Sequence, residues 1–108
     1  MPLNAFKTVT ATLTTSMTNI YTAPAGVSSI ILTAQIANIT TTPGTATFAH
    51  VRGSVVTELI KDYAIPGNDA ASATTGKLVL EAGQTIRAAA DQNNKMKLTL
   101  SILESANE

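Results

Sequence analysis

Between Met96 and Leu103 the chain alternates strictly. Met96, Leu98, Leu100 and Ile102 fall on one side of an extended backbone, and Lys97, Thr99 and Ser101 on the other. Successive side chains of a strand point to opposite faces, whereas a helix would scatter this set around its axis. A half-buried strand accounts for the pattern simply. The same two-residue period recurs upstream. Residues 6–13 form a Thr-rich strand, favoured because a β-branched side chain is stiff and fits the pleat. A short strand over 19–22 leads to the turn Ala23-Pro24-Ala25-Gly26. The strand 28–38 places Ile30, Leu32, Ala34 and Ile36 on one face and Ile31 on the other. Strand 45–52 aligns Ala46, Phe48 and His50. Strand 55–65 aligns Val55, Thr57, Leu59, Lys61, Tyr63 and Ile65, with Glu58, Ile60 and Asp62 opposite.

Lys77-Leu78-Val79-Leu80-Glu81-Ala82-Gly83-Gln84-Thr85-Ile86 reads as strand, tight Gly turn and strand, a β-hairpin with Leu78, Leu80 and Ile86 inward. Residues 66–73 form the longest small-residue loop, expected to be the most mobile. Asp91-Gln92-Asn93-Asn94 turns the chain into the last strand. The expectation is an all-β, single-domain antiparallel β-sandwich of jelly-roll type over residues 1–108. It has about eight strands, spaced as in sandwiches and jelly rolls. A short N-terminal arm, 1–5, and a fraying tail, 105–108, complete it. Ala88-Ala89-Ala90 favours helix locally but is too short to nucleate one.

The core this chain can build is lean. Hydrophobic residues make up 44% of 108, but many are Ala, and the aromatics are Phe6, Tyr21, Phe48 and Tyr63. A small domain with a lean core gains stability from partner surfaces, so a homo-oligomer is expected. Seven basic and seven acidic residues cancel. With no basic stripe to track phosphates, no nucleic-acid partner is expected. Polar residues interrupt the apolar stretch 27–39, so no membrane span is expected. The N-terminal residues lack an apolar run behind a positive patch, so no signal peptide is expected.

Chemistry finds little footing. There is no Cys, which removes thiol catalysis, disulfides and thiolate metal sites. His50 is the lone imidazole, and a catalytic role would need a nucleophile and an orienting carboxylate such as Asp62, Asp69 or Asp91. Oxygen-rich stretches at Asn68-Asp69 and 91–94 are explained by turn formation before Ca²⁺ binding. The glycines are isolated at turns and form no phosphate cradle. No enzyme, cofactor or metal is expected. Glu58, Lys61 and Asp62 form a charged cluster read as edge protection, with an intersubunit salt bridge as the alternative. Tyr21 and Tyr63 suit either a core position or an interface anchor.

The run Ile20-Tyr21-Thr22-Ala23-Pro24-Ala25-Gly26-Val27-Ser28-Ser29-Ile30 resembles the opening of small tailed-bacteriophage virion proteins, in which a Tyr-Thr-x-Pro-Ala-Gly turn leads into a long apolar strand. Ala37-Asn38-Ile39-Thr40 is similar to that strand's exit. Residues 59–66, 76–87 and 98–104 resemble the following blocks in the same order, so the resemblance covers about residues 19–104. It implies a non-enzymatic virion part assembled in a host cytoplasm, and brings no catalytic residues. The leading expectation is a capsid decoration or cement protein, partnered by the major capsid protein or other virion proteins and trimeric at threefold positions. The alternatives are a tail, neck or baseplate component and a host-surface glycan-binding module. Loops and arms carry such contacts. The candidate interface is therefore Pro2, Leu3 and Phe6 in the N-terminal segment 2–7, Pro66, Asn68 and Asp69 in the loop 66–73, and the two tyrosines Tyr21 and Tyr63.

Overall fold

The computed structural model describes residues 4–74 and 76–106. Among the described residues nine strands follow one another: β1 (Asn4–Thr12), β2 (Thr18–Thr22), β3 (Val27–Asn38), β4 (Gly44–Arg52), β5 (Val55–Ile65), β6 (Ala70–Ser72), β7 (Leu78–Leu80), β8 (Thr85–Ala90) and β9 (Met96–Ala106). One sheet runs β1-β9-β3-β6, with β7 also pairing β3, and the other runs β2-β8-β4-β5. Every pairing is antiparallel. Apart from β4 to β5 and the short step from β6 to β7, each connection crosses from one sheet to the other. That is jelly-roll order, with one strand position split between β6 and β7. The all-β sandwich expectation therefore holds.

The last strand behaves as its alternation predicts. Met96, Leu98, Leu100 and Ile102 are fully buried, and Lys97 and Thr99 are exposed. Facing them across the sandwich, the second sheet presents Phe48 and Ile86 among the small residues Ala46, Ala88 and Ala90. Large side chains of one sheet thus fill the space left by small ones of the other, the interdigitation that close packing needs.

Two strands depart from simple alternation. In β3 the pairing with β9 shifts between Ile31 and Thr33. The extra residue reverses the alternation, so Ser29 and Ile31 point inward before it, and Ala34, Ile36 and Asn38 after it. Ile30 and Leu32, expected on the same face as Ala34 and Ile36, are instead half-buried. In β5 two shifts flank Phe48 of its partner strand, and Asp62 has φ 48°. Ile60 is consequently opposite Phe48 and packs on the core, while Leu59 and Tyr63 are exposed.

Three further expectations are corrected. The stretch 77–86 is not a hairpin. β7 pairs with β3 in one sheet and β8 with β2 and β4 in the other, so Gly83, at φ 86°, turns an arch between the layers. Leu80 and Ile86 are nonetheless buried as expected. Within the loop 66–73, Ala70–Ser72 is a strand docked on Gln35, Ile36 and Ala37. Asn4 and Ala5, placed in an arm, pair with Ser105 and Glu104; Ser105 and Ala106, expected to fray, belong to β9.

The turn before β6 is held by close backbone approach. A Cβ placed on Gly67 would lie 2.4 Å from the carbonyl carbon and oxygen of Thr41. Asn68 N–H donates to the Thr40 carbonyl at 2.8 Å, and Asn38 N–H to the Asp69 carbonyl at 2.8 Å. Gly76 has nothing within 4 Å of the same position. Gly67→Ala should therefore lower stability by roughly 1–3 kcal/mol, as overpacking against rigid backbone does. Gly76→Ala should change it by less than about 0.5 kcal/mol, as an open surface substitution does. Urea denaturation of both variants makes the comparison.

Candidate functional site

The candidate interface residues do not converge. Phe6 stands on β1, one edge of the first sheet, and is 80% exposed. Tyr63 stands on β5, an edge of the second sheet, and is 50% exposed. Pro66, Asn68 and Asp69 are exposed in the turn that follows β5. Asp69 Oδ1 accepts the Ala70 N–H at 2.8 Å, a local turn contact. Pro2 and Leu3 lie outside the described residues. In a jelly roll of this order β1 stacks above β2 and the β6–β7 side above β5, so Phe6 and Tyr63 occupy opposite flanks.

Tyr21 is no surface anchor. It is 8% exposed, and its hydroxyl reaches from β2 across to the opposite sheet. There it donates to Glu104 Oε2 at 2.5 Å and lies 2.7 Å from Ser29 Oγ. A phenol has one proton to give, so with that proton on Glu104 the Ser29 hydroxyl donates to the Tyr21 oxygen. Lys7 Nζ is 3.5 Å from Glu104 and 5.9 Å from the Tyr21 ring centroid. This cluster joins β1, β2, β3 and β9 at one end of the sandwich. Of the two readings for Tyr21, the core position fits. Nothing in its local sequence names the partners, because Ser29 and Glu104 come from other strands.

Burial, reinforced by the adjacent Glu104 carboxylate, pushes the Tyr21 hydroxyl up to about 12. A raised folded value means that the neutral phenol is favoured by folding. The resulting stability is fully present below pH 10 and is lost as the pH rises from about 10 to about 12. Wild type should lose up to roughly 3 kcal/mol across that window through this group. Tyr21→Phe should start less stable and show a correspondingly shallower alkaline decline. Denaturant titrations at pH 9, 10 and 11 read out the slope.

His50 is half-buried on β4, and its Nε2–H donates to Gln84 Oε1 at 2.9 Å. The same oxygen accepts the Glu81 N–H at 3.1 Å, so His50 braces the arch after β7. Among the described residues no group of three His, Asp or Glu side chains is placed to hold a metal. Lys95 is also buried; its ammonium donates to the Pro43 carbonyl at 2.7 Å, with Asp91 at 4.0 Å.

A concavity of about 380 Å³ lies on the second sheet. Ala89, Met17 and Val56 contribute its apolar lining, and Glu58, Lys61, Asp62, Arg87 and Asp91 its charges. Arg87 Nε–H is already committed to Asn19 Oδ1 at 2.7 Å. Among the described residues that line it, none is aromatic. Glu58, Lys61 and Asp62 do lie on an edge strand, β5, as their reading as edge protection requires.

No family model matches the chain, and neither does any curated protein. Among solved structures, one from Bacillus endospore appendages, described as a family of disulfide-linked pili, matches with a TM-score of 0.61 and 11% identity. The match covers 98% of this chain and 88% of that one. A pentameric capsid protein from metagenomic phage sequences matches with a TM-score of 0.44 and 12% identity, over 92% of this chain and 60% of its own length. The first likeness shows a shared fold. Disulfide linkage stays with the pilus protein, since the present chain has no cysteine.

Proposed function

We propose that the chain is a non-enzymatic structural component of a tailed-phage virion, and within that class a decoration or cement protein of the capsid. The observation that carries the reading is the placement of apolar side chains. Phe6, Val55, Val56, Leu59, Tyr63 and Val79 are exposed although the sandwich has a well-packed interior. These six fall on β1, β5 and β7, at three of the sheet borders, while Met17 and Ile39, also exposed, lie in loops. Exposed apolar patches of this kind belong at contacts with other proteins. Contact strips on separate flanks are what a protein needs to bridge two neighbouring capsid subunits.

Such a protein works by mass action. Binding the assembled shell and not its free subunits stabilises the shell by the free energy of that binding. On a head, a trimer at threefold positions is the arrangement this role favours, and the major capsid protein is its partner. Asn68 and Asp69 in the turn after β5 supply polar contacts beside the apolar strips, the usual division between rim and centre.

Particles stripped of the protein, or assembled without it, should lose their contents at lower temperature and lower chaotrope concentration than intact ones. Unchanged tolerance would end the cement reading. Quantitative gel analysis of purified particles separates head from tail. A decoration protein is present in numbers that scale with the shell, whereas a neck or baseplate ring contains the few copies of a closed cycle.

A further inference from the structure

The two sheets end in four borders, and three of them are obstructed. β5 carries two register shifts and the charges Glu58, Lys61 and Asp62. β2 spans 5 residues and has a shift between Asn19 and Tyr21. The fourth strand position of the first sheet is broken into β6 and β7, of 3 residues each. Short strands, bulges and charges are the devices by which proteins prevent a sheet from adding another strand. β1 is neither short nor bulged and carries a single charge. It runs 9 residues in unbroken register with β9, and its one charged residue, Lys7, is engaged with Glu104.

The direction of its free hydrogen-bonding groups follows from the ladder. Leu13 N–H donates to the Met96 carbonyl at 2.9 Å, so Leu13 bonds toward β9. Antiparallel alternation then turns the N–H and C=O groups of Ala11, Val9, Lys7 and Ala5 toward β9 as well. Those of Asn4, Phe6, Thr8, Thr10 and Thr12 turn outward, where the described residues place no further strand.

We propose that β1 pairs with β1 of a second copy, antiparallel about a two-fold axis at Thr8, making one continuous sheet across the dimer. Two-fold pairing keeps each residue on its own face, so a residue at the axis must meet itself. With Thr8 there, all of β1 is used: Phe6 lies opposite Thr10, Lys7 opposite Val9, Ala5 opposite Ala11 and Asn4 opposite Thr12 of the second copy. The outward groups of Asn4, Phe6, Thr8, Thr10 and Thr12 then bond one another.

The side chains fit that register. Phe6 and Thr10 make an aromatic–β-branched pair, and the two Thr8 residues a Thr–Thr pair, both stabilising across strands. Phe6, 80% exposed in the single chain, gains cover on the outer face. Moving the axis to Lys7 would set two ammonium groups opposite each other, a repulsive arrangement. Moving it to Val9 would leave Asn4 and Ala5 unpaired. The second copy is favoured over a foreign strand because the complement of β1 in this register is β1 itself. This inference concerns the free chain and stands apart from its place in a virion; on a head, two-fold β1 contacts would join threefold assemblies edge to edge.

Sedimentation velocity of the whole chain at about 100 µM, a concentration at which micromolar contacts are formed, should show a dimer. Thr8→Pro removes an outward N–H without touching the β9 ladder, a place where an edge strand tolerates proline. Thr8→Lys puts two like charges on the axis. Each should weaken dimerisation at least tenfold with an unchanged far-ultraviolet circular dichroism spectrum. Thr8→Glu should be weakened likewise, and an equimolar mixture of Thr8→Lys and Thr8→Glu should recover a heterodimer, since residue 8 meets residue 8. A monomeric wild type, association indifferent to Thr8→Lys, or a mixture no tighter than either variant alone would overturn the proposal.

Discussion

β9 is the element on which the sandwich depends. It pairs with β1 along one side and with β3 along the other, and its inner row of Met96, Leu98, Leu100 and Ile102 is fully buried. Both neighbours are distant in sequence: Thr8 lies opposite Ser101, and Ile31 opposite Ile102. The first sheet therefore cannot close until the last strand arrives. Non-local pairing of this kind makes folding slow, because loop closure must precede the contacts that reward it. It also leaves β1 and β3 with bare edges until β9 docks between them.

Against that row the second sheet supplies a shallow surface. Ala46, Ala88 and Ala90 let the bulky residues of the first sheet approach, and Phe48 and Ile86 fill what remains. A core built this way has little volume to spare, so polar side chains help to hold the layers in place. Asn38 Nδ2 donates to the carbonyls of Thr42, at 2.8 Å, and Ile65, at 3.1 Å, while its Oδ1 accepts from Thr40 N–H and Oγ1–H. Tyr21 does the same work at another place, joining β2 to Ser29 and Glu104. Buried groups satisfied in this manner specify one arrangement, since any slip leaves them unpaired in a medium where that is costly.

The strands were legible in the sequence because alternation is a property of neighbours. β9 could be read residue by residue, and so could Ala46, Phe48 and His50 on β4. What neighbours do not encode is partnership. Residues 77–86 have the strand–glycine–strand form of a hairpin, yet Leu78–Leu80 joins β3 and Thr85–Ala90 joins β4. A turn residue permits a reversal without choosing between the same sheet and the opposite one. Ala70–Ser72 has little strand propensity, and its conformation comes from pairing with β3. The bulges of β3 and β5 were hidden for the same reason, since an extra residue is defined only against the strand it faces. Of the candidate interface, the exposure of Phe6 was legible because it heads a Thr-rich strand; the burial of Tyr21 was not, because Glu104 is 83 residues away.

The contrast between β5 and β1 then gains meaning. Both are long border strands, and both display apolar side chains. β5 is bent by its bulges and flanked by Glu58, Lys61 and Asp62, so its side chains are available to a partner while its backbone is a poor template for another strand. β1 is straight in register and nearly uncharged, and it offers its backbone directly. A chain that guards one flank and leaves the other open is suited to two different contacts. One is a side-chain contact with a surface unlike itself, and the other a strand-to-strand contact with its own kind. A protein holding both can meet an unlike surface with one flank while the other flank pairs with a second copy.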